Sequence, residues 1–484
     1  MNSLYRAALV GALLPANLFA AGIVTVITSR DAHPLESRAA GWIAEAVTVA
    51  VDAEVRIATH QTPGDGEGTR IMVGVGKSST GTPHGEHRVV ARDNEFIVEG
   101  DSPSAVLWAA AELVGHLGVR PTLQGDLPPI AKLEKIPPFQ VTRSPLVSER
   151  VWDGIHAGHH SLSAWPVEAL QKLFHQLAKL KFTHVVLPRA PASFAPIRVT
   201  GDTAGRSAFK GVPFFTPPDP DGYAQASRAA ANDAGLVVLD SVEKDTSWVA
   251  LGPGNASILP SLSLSDLEGQ VRSVLGKKET RVTFFGGMPG DLNAAIYFAS
   301  RACFEPSLTA RKALEELVTP ICGEGVSDRL WMGFEHLATA RTTLNALDAR
   351  LGVPEANFLA RHLDARGKPR AEMGRLKTLY AEAMNEMYRG NTRARGGARP
   401  FILYHAKRLE FAMHFTSAVE ALATAGDAAA RKQEDARAEA SDAALEAVYN
   451  ALSACADVAR DPADLAVIAT LNEFGYRPLN QTLR

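Results

Sequence analysis

The sequence predicts an α/β multi-domain protein: a small α/β N-terminal domain, a parallel (β/α) barrel or partial barrel, and a C-terminal α-helical domain. Two observations carry this. From Gly22 to about residue 302, short runs rich in Val and Ile alternate with longer amphipathic stretches, the pattern of strands separated by helices. From Thr309 onward the strand-like runs stop. Ala, Leu, Glu and Arg dominate, with apolar residues at helical spacing, as in Leu409, Ala412, Met413, Val419 and Leu422. A length of 484 residues suits roughly three domains of about 150 residues each.

Residues 1–21 read as a signal peptide. Arg6 supplies a short positive region, Ala7 to Ala20 is mostly apolar, and Leu18-Phe-Ala-Ala21 offers small residues for cleavage. The alternative is a first core helix. The run is shorter than the about 20 apolar residues a membrane-spanning helix needs, and no later stretch is long and apolar enough, so no span is expected in the mature chain.

Residues 22–123 form the first α/β unit. Ile23 to Thr28 is a strand. Pro34 to Ala50 is a helix with Pro in its first turn, where the missing N–H is harmless. Strands follow at Val55 to Ala58, Arg70 to Val75, His87 to Arg92 and Glu95 to Glu99. Pro103 to Leu117 is a helix, with Ser102 as its N-cap and Gly118 in the left-handed position that ends it. Gly74-Val-Gly-Lys-Ser-Ser79 suggests a phosphate loop, but the Gly such a loop needs at position 71 is Ile71, so nucleotide binding is not expected.

Leu123 to Pro145 reads as a linker rich in Pro and charge. Residues 145–302 read as the barrel-like unit, with strands at Val147 to Trp152, Lys181 to Pro188, Leu236 to Asp240, Trp248 to Leu251 and Arg281 to Phe285. Helices lie between them at Trp165 to Leu180, Tyr223 to Ala234 and Leu264 to Leu275, and Leu292 to Ala302 follows. Helical crossovers imply parallel pairing. The segment spans roughly 158 residues, against about 250 for a full eight-fold barrel, so the barrel is expected to be abbreviated. Residues 303–484 are helical, broken at Gly390 to Pro400 and closed by Asp464 to Leu479.

Composition excludes some classes. Hydrophobic residues make up 46% and charged residues 21%, as in an ordinary globular protein. A net charge of −3 gives no electrostatic footprint for nucleic acid. Cys303, Cys322 and Cys455 are too few and scattered for a disulfide framework or a zinc site, and read as buried thiols.

Three stretches of the N-terminal unit carry a resemblance: Ile23-Val-Thr-Val-Ile-Thr28, Pro34-Leu-Glu-Ser-Arg-Ala-Ala40, and Glu99-Gly-Asp-Ser-Pro-Ser-Ala-Val-Leu-Trp-Ala-Ala-Ala-Glu-Leu113. They look like the accessory domain that precedes the catalytic barrel in bacterial alpha-glucuronidases and beta-hexosaminidases. Leu173 to Leu187 is similar to the first helix and second strand of such barrels. Asp291 to Pro306 resembles the hand-over from the last strand to a C-terminal helical domain. The resemblance implies an exported glycoside hydrolase-like protein acting on oligo- or polysaccharide-derived saccharides, uronic-acid-containing ones among them. Its chemistry would be carboxylate acid/base hydrolysis without cofactor or metal. The departure is the short barrel, which leaves no catalytic residue transferable by motif. The alternative is a non-catalytic carbohydrate-binding or structural protein on a degenerate barrel.

Glycoside hydrolysis needs two carboxyls flanking the scissile bond, and barrel sites lie at the strands' C-terminal ends. Asp240 with Glu243, just past an apolar strand, is the expected catalytic pair; the competing reading has Asp240 capping the next element. Asp153 also follows a strand, ahead of His156, His159 and His160. His156 and His159 are candidate sugar contacts; metal would need a further ligand that the loop does not offer. Arg189 suits a uronate carboxylate in a bidentate pair. Trp152, Trp165 and Trp248 are candidate stacking platforms. Asp291 is a candidate substrate contact, or a residue that starts the next helix. Export predicts a mature N-terminus near Gly22, and N-terminal sequencing of secreted protein that still begins at Met1 contradicts it.

Overall fold

The computed structural model describes residues 22–59, 68–76, 85–155, 160–187, 219–242, 247–252, 257–277, 279–347, 351–363 and 371–483. The expected signal region lies outside them.

The N-terminal unit contains β1 (Gly22–Thr28), α1 (Pro34–Ala50), β2 (Ala53–Thr59), β3 (Thr69–Val75), β4 (His87–Arg92), β5 (Glu95–Gly100) and α2 (Pro103–His116). The Ser102 hydroxyl accepts the Ala105 N–H at 3.3 Å, and Gly118 has φ +85°. The Glu36 carboxylate accepts the His33 N–H at 2.7 Å and the Val75 N–H at 2.8 Å. One side chain thus caps α1 and ties it to the end of β3.

The expected linker is partly structured. It holds β6 (Arg120–Thr122), β7 (Gly125–Leu127) and β8 (Gln140–Arg143). β6 and β7 form a ribbon, while β8 pairs antiparallel with β4 and completes the six-stranded order β2-β1-β3-β5-β4-β8. Such long-range pairing leaves little local signal.

Next come β9 (Glu149–Asp153), α3 (Val167–Lys179), β10 (His184–Val186), α4 (Pro220–Asp233), β11 (Val237–Leu239), β12 (Ser247–Ala250), α5 (Leu264–Gly276), β13 (Arg281–Phe285) and α6 (Asn293–Ala302). The five strands pair in parallel, as expected, in the order β11-β10-β9-β13-β12. The first strand lies at the centre and pairs with both the second and the last. First-to-last pairing is the contact that closes a barrel. Here β11 and β12 are the sheet's edges, and seven residues connect them. Among the described residues the sheet is an arc of five strands, not a closed barrel.

The remainder is helical: α7 (Ala310–Cys322), α8 (Val326–Ala346), α9 (Phe358–His362), α10 (Ala371–Arg393), α11 (Arg399–Ala430), α12 (Glu434–Ala456), α13 (Pro462–Leu471) and α14 (Arg477–Leu483). A π-helical turn over Asn472–Tyr476 joins the last two. α11 packs against both α10 and α12. All three cysteines are free and buried.

A buried polar network joins the parallel sheet to the helices. Arg408 on α11 is 1% exposed and grips Asp291 with two bonds, Nε to Oδ1 at 3.0 Å and Nη2 to Oδ2 at 2.8 Å. Its Nη2 also donates to the Ile258 carbonyl at 2.8 Å. Nearby, Tyr404 donates to Asp464 at 2.8 Å, and Gln124 from the N-terminal side donates to Asp461 at 2.7 Å. Gly290 leaves room for this, since a Cβ there would lie 2.2 Å from the Tyr404 hydroxyl. Burial, then the Asp461 charge, raises Asp464 to about 8.

Breaking a buried pair strands an uncompensated charge. Arg408→Met and Asp291→Asn should each cost about 3–5 kcal/mol, read from urea unfolding midpoints. The double variant should cost less than the two single losses together.

Candidate functional site

In a parallel sheet, residues level with one another share a face. Val151 is level with His184 on β10 and Thr283 on β13, and Thr283 is level with Trp248 on β12. Asp153 is level with Phe285, which is level with Ala250. One face therefore carries Val151, Asp153, Val186, Leu239, Thr283, Phe285 and Trp248. The other carries Arg150, Trp152, Val185, Val249, Val282 and Phe284, all buried in the core.

On the first face exposure rises from centre to edge. Val151 and Thr283 are 0% exposed, Asp153 8%, Trp248 46% and Val237 53%. Asp153 ends the central strand, on the side where parallel α/β proteins build their sites. Its Oδ1 accepts the Ile155 N–H at 2.9 Å. Burial pushes its carboxyl up to about 6, outweighing that bond, which favours the ionised form. Gly154 lets the chain leave the strand closely packed, since a Cβ there would lie 2.7 Å from Leu162 and 3.1 Å from the Trp152 indole nitrogen. A carboxyl so placed, and half protonated near pH 6, can donate a proton and take it back.

The sequence-based candidates separate. Trp152 is not a sugar platform: it is 0% exposed and meets Phe182 edge-on at 6.0 Å. Its parity in the strand turns it to the core face. Trp165 is likewise buried, whereas Trp248 is open. Asp291 is not a surface contact either, because both its oxygens are taken by Arg408. The following helix, α6, is preceded by Leu292 and has no side-chain cap bond. Asp240 follows β11 and pairs with Arg228 of α4, its side chain 41% exposed. The same Arg228 donates to the Leu187 carbonyl at 2.9 Å, which fixes the end of β10 beside it. Glu243, His156, His159 and Arg189 lie outside the described residues. His160 is buried, and its carbonyl accepts the Trp165 indole N–H at 3.3 Å.

Sequence reasoning noted Asp153 at a strand end but chose Asp240 and Glu243 as the pair. The signal for Asp153 was parity: Glu149, Val151 and Asp153 alternate with Arg150 and Trp152, so the strand's last acid faces away from its aromatic. Among the described residues no group of three or more His, Cys, Asp or Glu could hold a metal ion.

No family model and no curated protein matches this chain. Solved structures do. The chain is similar to a family GH115 4-O-methyl-alpha-glucuronidase, BtGH115A, with specificity for decorated arabinogalactans. The TM-score is 0.58 and the identity 11%, over 93% of this chain and 79% of that one. Two weaker likenesses accompany it. One is to a GH138 enzyme targeting pectin rhamnogalacturonan II, with TM-score 0.46 and 8% identity over 95% of this chain and 100% of that one. The other is to CpGH84D, with TM-score 0.40 and 9% identity over 89% of this chain and 90% of that one. The first likeness establishes a glycoside hydrolase-like fold with an N-terminal sheet and a helical C-terminal region.

A carboxyl raised on folding favours the folded state fully below the unfolded value of about 4 and loses that contribution as pH rises through about 6. Asp153→Asn cannot ionise. From pH 4 to pH 8 its stability relative to the unsubstituted protein should therefore improve, by on the order of 2–3 kcal/mol, measured by denaturant unfolding at both pH values.

Proposed function

We propose that this protein is an exported glycoside hydrolase acting on polysaccharide-derived saccharides, uronic-acid-containing ones among them. The single observation that carries the reading is Asp153, a carboxyl at the C-terminal end of the central parallel strand, held up to about 6 by burial. In this reading Asp153 protonates the glycosidic oxygen as the bond to the anomeric carbon breaks. A second carboxylate takes a proton from the water that attacks that carbon. Asp240 and Glu243, both past the end of β11, are the two candidates for this role. β11 lies two strands from β9, a backbone separation of about 9–10 Å. Inverting hydrolysis wants carboxyls about 6.5–9.5 Å apart, with room for a water. Trp248, exposed on the same face as Asp153, offers a ring on which a sugar can stack.

Export rests on the Arg6 and apolar-run pattern. Among the described residues no helix is long and apolar enough to cross a membrane.

A second reading, a non-catalytic carbohydrate-binding protein, is favoured by the five-stranded arc. A full barrel would draw further strand-end residues from the units between β11 and β12.

A panel of aryl glycosides that includes a uronide separates the two readings. Hydrolysis is expected, and Asp153→Asn should lower turnover about 10²–10⁴-fold with an unchanged circular dichroism spectrum. Asp240→Asn or Glu243→Gln should show a comparable loss, which identifies the base. Full turnover in Asp153→Asn removes Asp153 from the chemistry. Saccharide binding without hydrolysis of any substrate favours the second reading.

A further inference from the structure

At the other end of the parallel strands, where β10 begins, a cavity of about 240 Å³ lies between α2, β8, α3 and α6. It is smaller than the about 300–1,000 Å³ of pockets for drug-sized ligands. Five cations line it: Arg120, Arg143, Lys179, Lys181 and Arg301. Among the described residues, Glu112 and Glu316 are the only carboxylates in the lining.

Some of this charge is compensated. Lys181 pairs with Glu112, Arg143 with Glu305 at 2.8 Å, Arg301 with Glu316 at 3.2 Å, and Lys179 with Asp126 at 2.6 Å. Arg120 is different. It is 9% exposed and donates to backbone carbonyls, those of Gly115, Val119 and Glu316, with no carboxylate partner among the described residues. The Arg120 guanidinium is therefore held in the wall by bonds to neutral acceptors. Such a charge is costly to bury unless an anion offsets it.

The backbone supplies a second observation. Lys181 ends α3 in the left-handed region, φ +63°, with the Phe182 N–H bonded to the Leu177 carbonyl at 2.9 Å. The corresponding positions after α2 and α4 are Gly118 and Gly235, at φ +85° and +83°. Glycine is the unstrained choice there. At Lys181 the chain carries a strained residue instead and places its ammonium in the cavity wall, 3.0 Å from the His87 Nε2. Strain of this kind collects at ligand sites.

We propose that this cavity binds a small anion carrying a carboxylate or phosphate group, held by Arg120, Arg143, Lys181 and Arg301. Tyr297 in the wall adds a hydroxyl, whose oxygen accepts from Arg301 at 3.3 Å and whose O–H can meet a further oxygen of the anion. The site is separate from Asp153, at the opposite ends of the strands, and does not depend on the hydrolase reading.

The test is calorimetric titration of the full chain with inorganic phosphate, and separately with acetate, in chloride buffer of constant ionic strength. Saturable binding of at least one is expected, and the one that binds identifies the group. Two variants follow, each with its circular dichroism and melting curve recorded without ligand. Arg143→Gln removes one charge; Ala111→Leu fills the cavity from α2 and leaves every charge in place. Both should bind about tenfold more weakly or worse. Heat that does not saturate with either probe overturns the proposal, and so does unchanged affinity in either variant.

Discussion

The grip of Arg408 on Asp291 is the interaction on which the arrangement of the parallel sheet and the helices depends. A guanidinium and a carboxylate, both buried, hold each other through two parallel bonds. The pair joins the segment after the last parallel strand to the N-terminal third of α11. Desolvating two charges is costly and is offset only by good geometry and further bonds. Arg408 supplies one such bond to the Ile258 carbonyl. Tyr404, one helical turn earlier on the same face, reaches Asp464, and Asp461 beside it takes the Gln124 side chain. Three parts of the chain thus meet in one buried, polar junction. Such a junction specifies how they fit, because a shifted arrangement would leave its charges unpaired.

That junction lies beside the strand ends, where the candidate site is. Leu292, next to Asp291, fills the space above two strands: a Cβ on Gly252 would come within 2.9 Å of it, and one on Gly286 within 2.3 Å. β12 and β13 are therefore closed over by apolar packing at their upper ends. Asp153 ends the neighbouring central strand, buried enough to hold its proton to about pH 6. The same sheet presents an exposed Trp248 at one edge and the Asp240–Arg228 pair beyond the other.

Much of the architecture was legible because its signals are local. Ser102 with Pro103 marks a helix start and Gly118 a helix end, and α1 spans Pro34–Ala50 as its periodicity implies. The strand expected from Lys181 onward starts only at His184, because Lys181 still belongs to the end of α3 and lacks the glycine that announces such an end. The linker reading failed at β8, whose partner β4 lies about 50 residues earlier. The candidate site was harder to read. Asp291 looked available because its partner lies 117 residues away. Trp152 and Asp153 are neighbours in sequence, yet strand parity sends one to the core and the other to the opposite face. Proximity to a strand end is a local signal; parity and long-range pairing, which set where each side chain lies, are not.

The central claim is that Asp153 is a carboxyl poised to exchange a proton at the strand ends. It is tested most directly by the carbon-13 shift of its side-chain carboxyl, followed from pH 3 to pH 9 with Asp153→Asn used to assign the signal. The account predicts a midpoint near about 6, moving upward when a uronic-acid oligosaccharide is added, because a bound sugar further desolvates the carboxylate. A midpoint near the ordinary aspartate value of about 4, unmoved by saccharide, would contradict it.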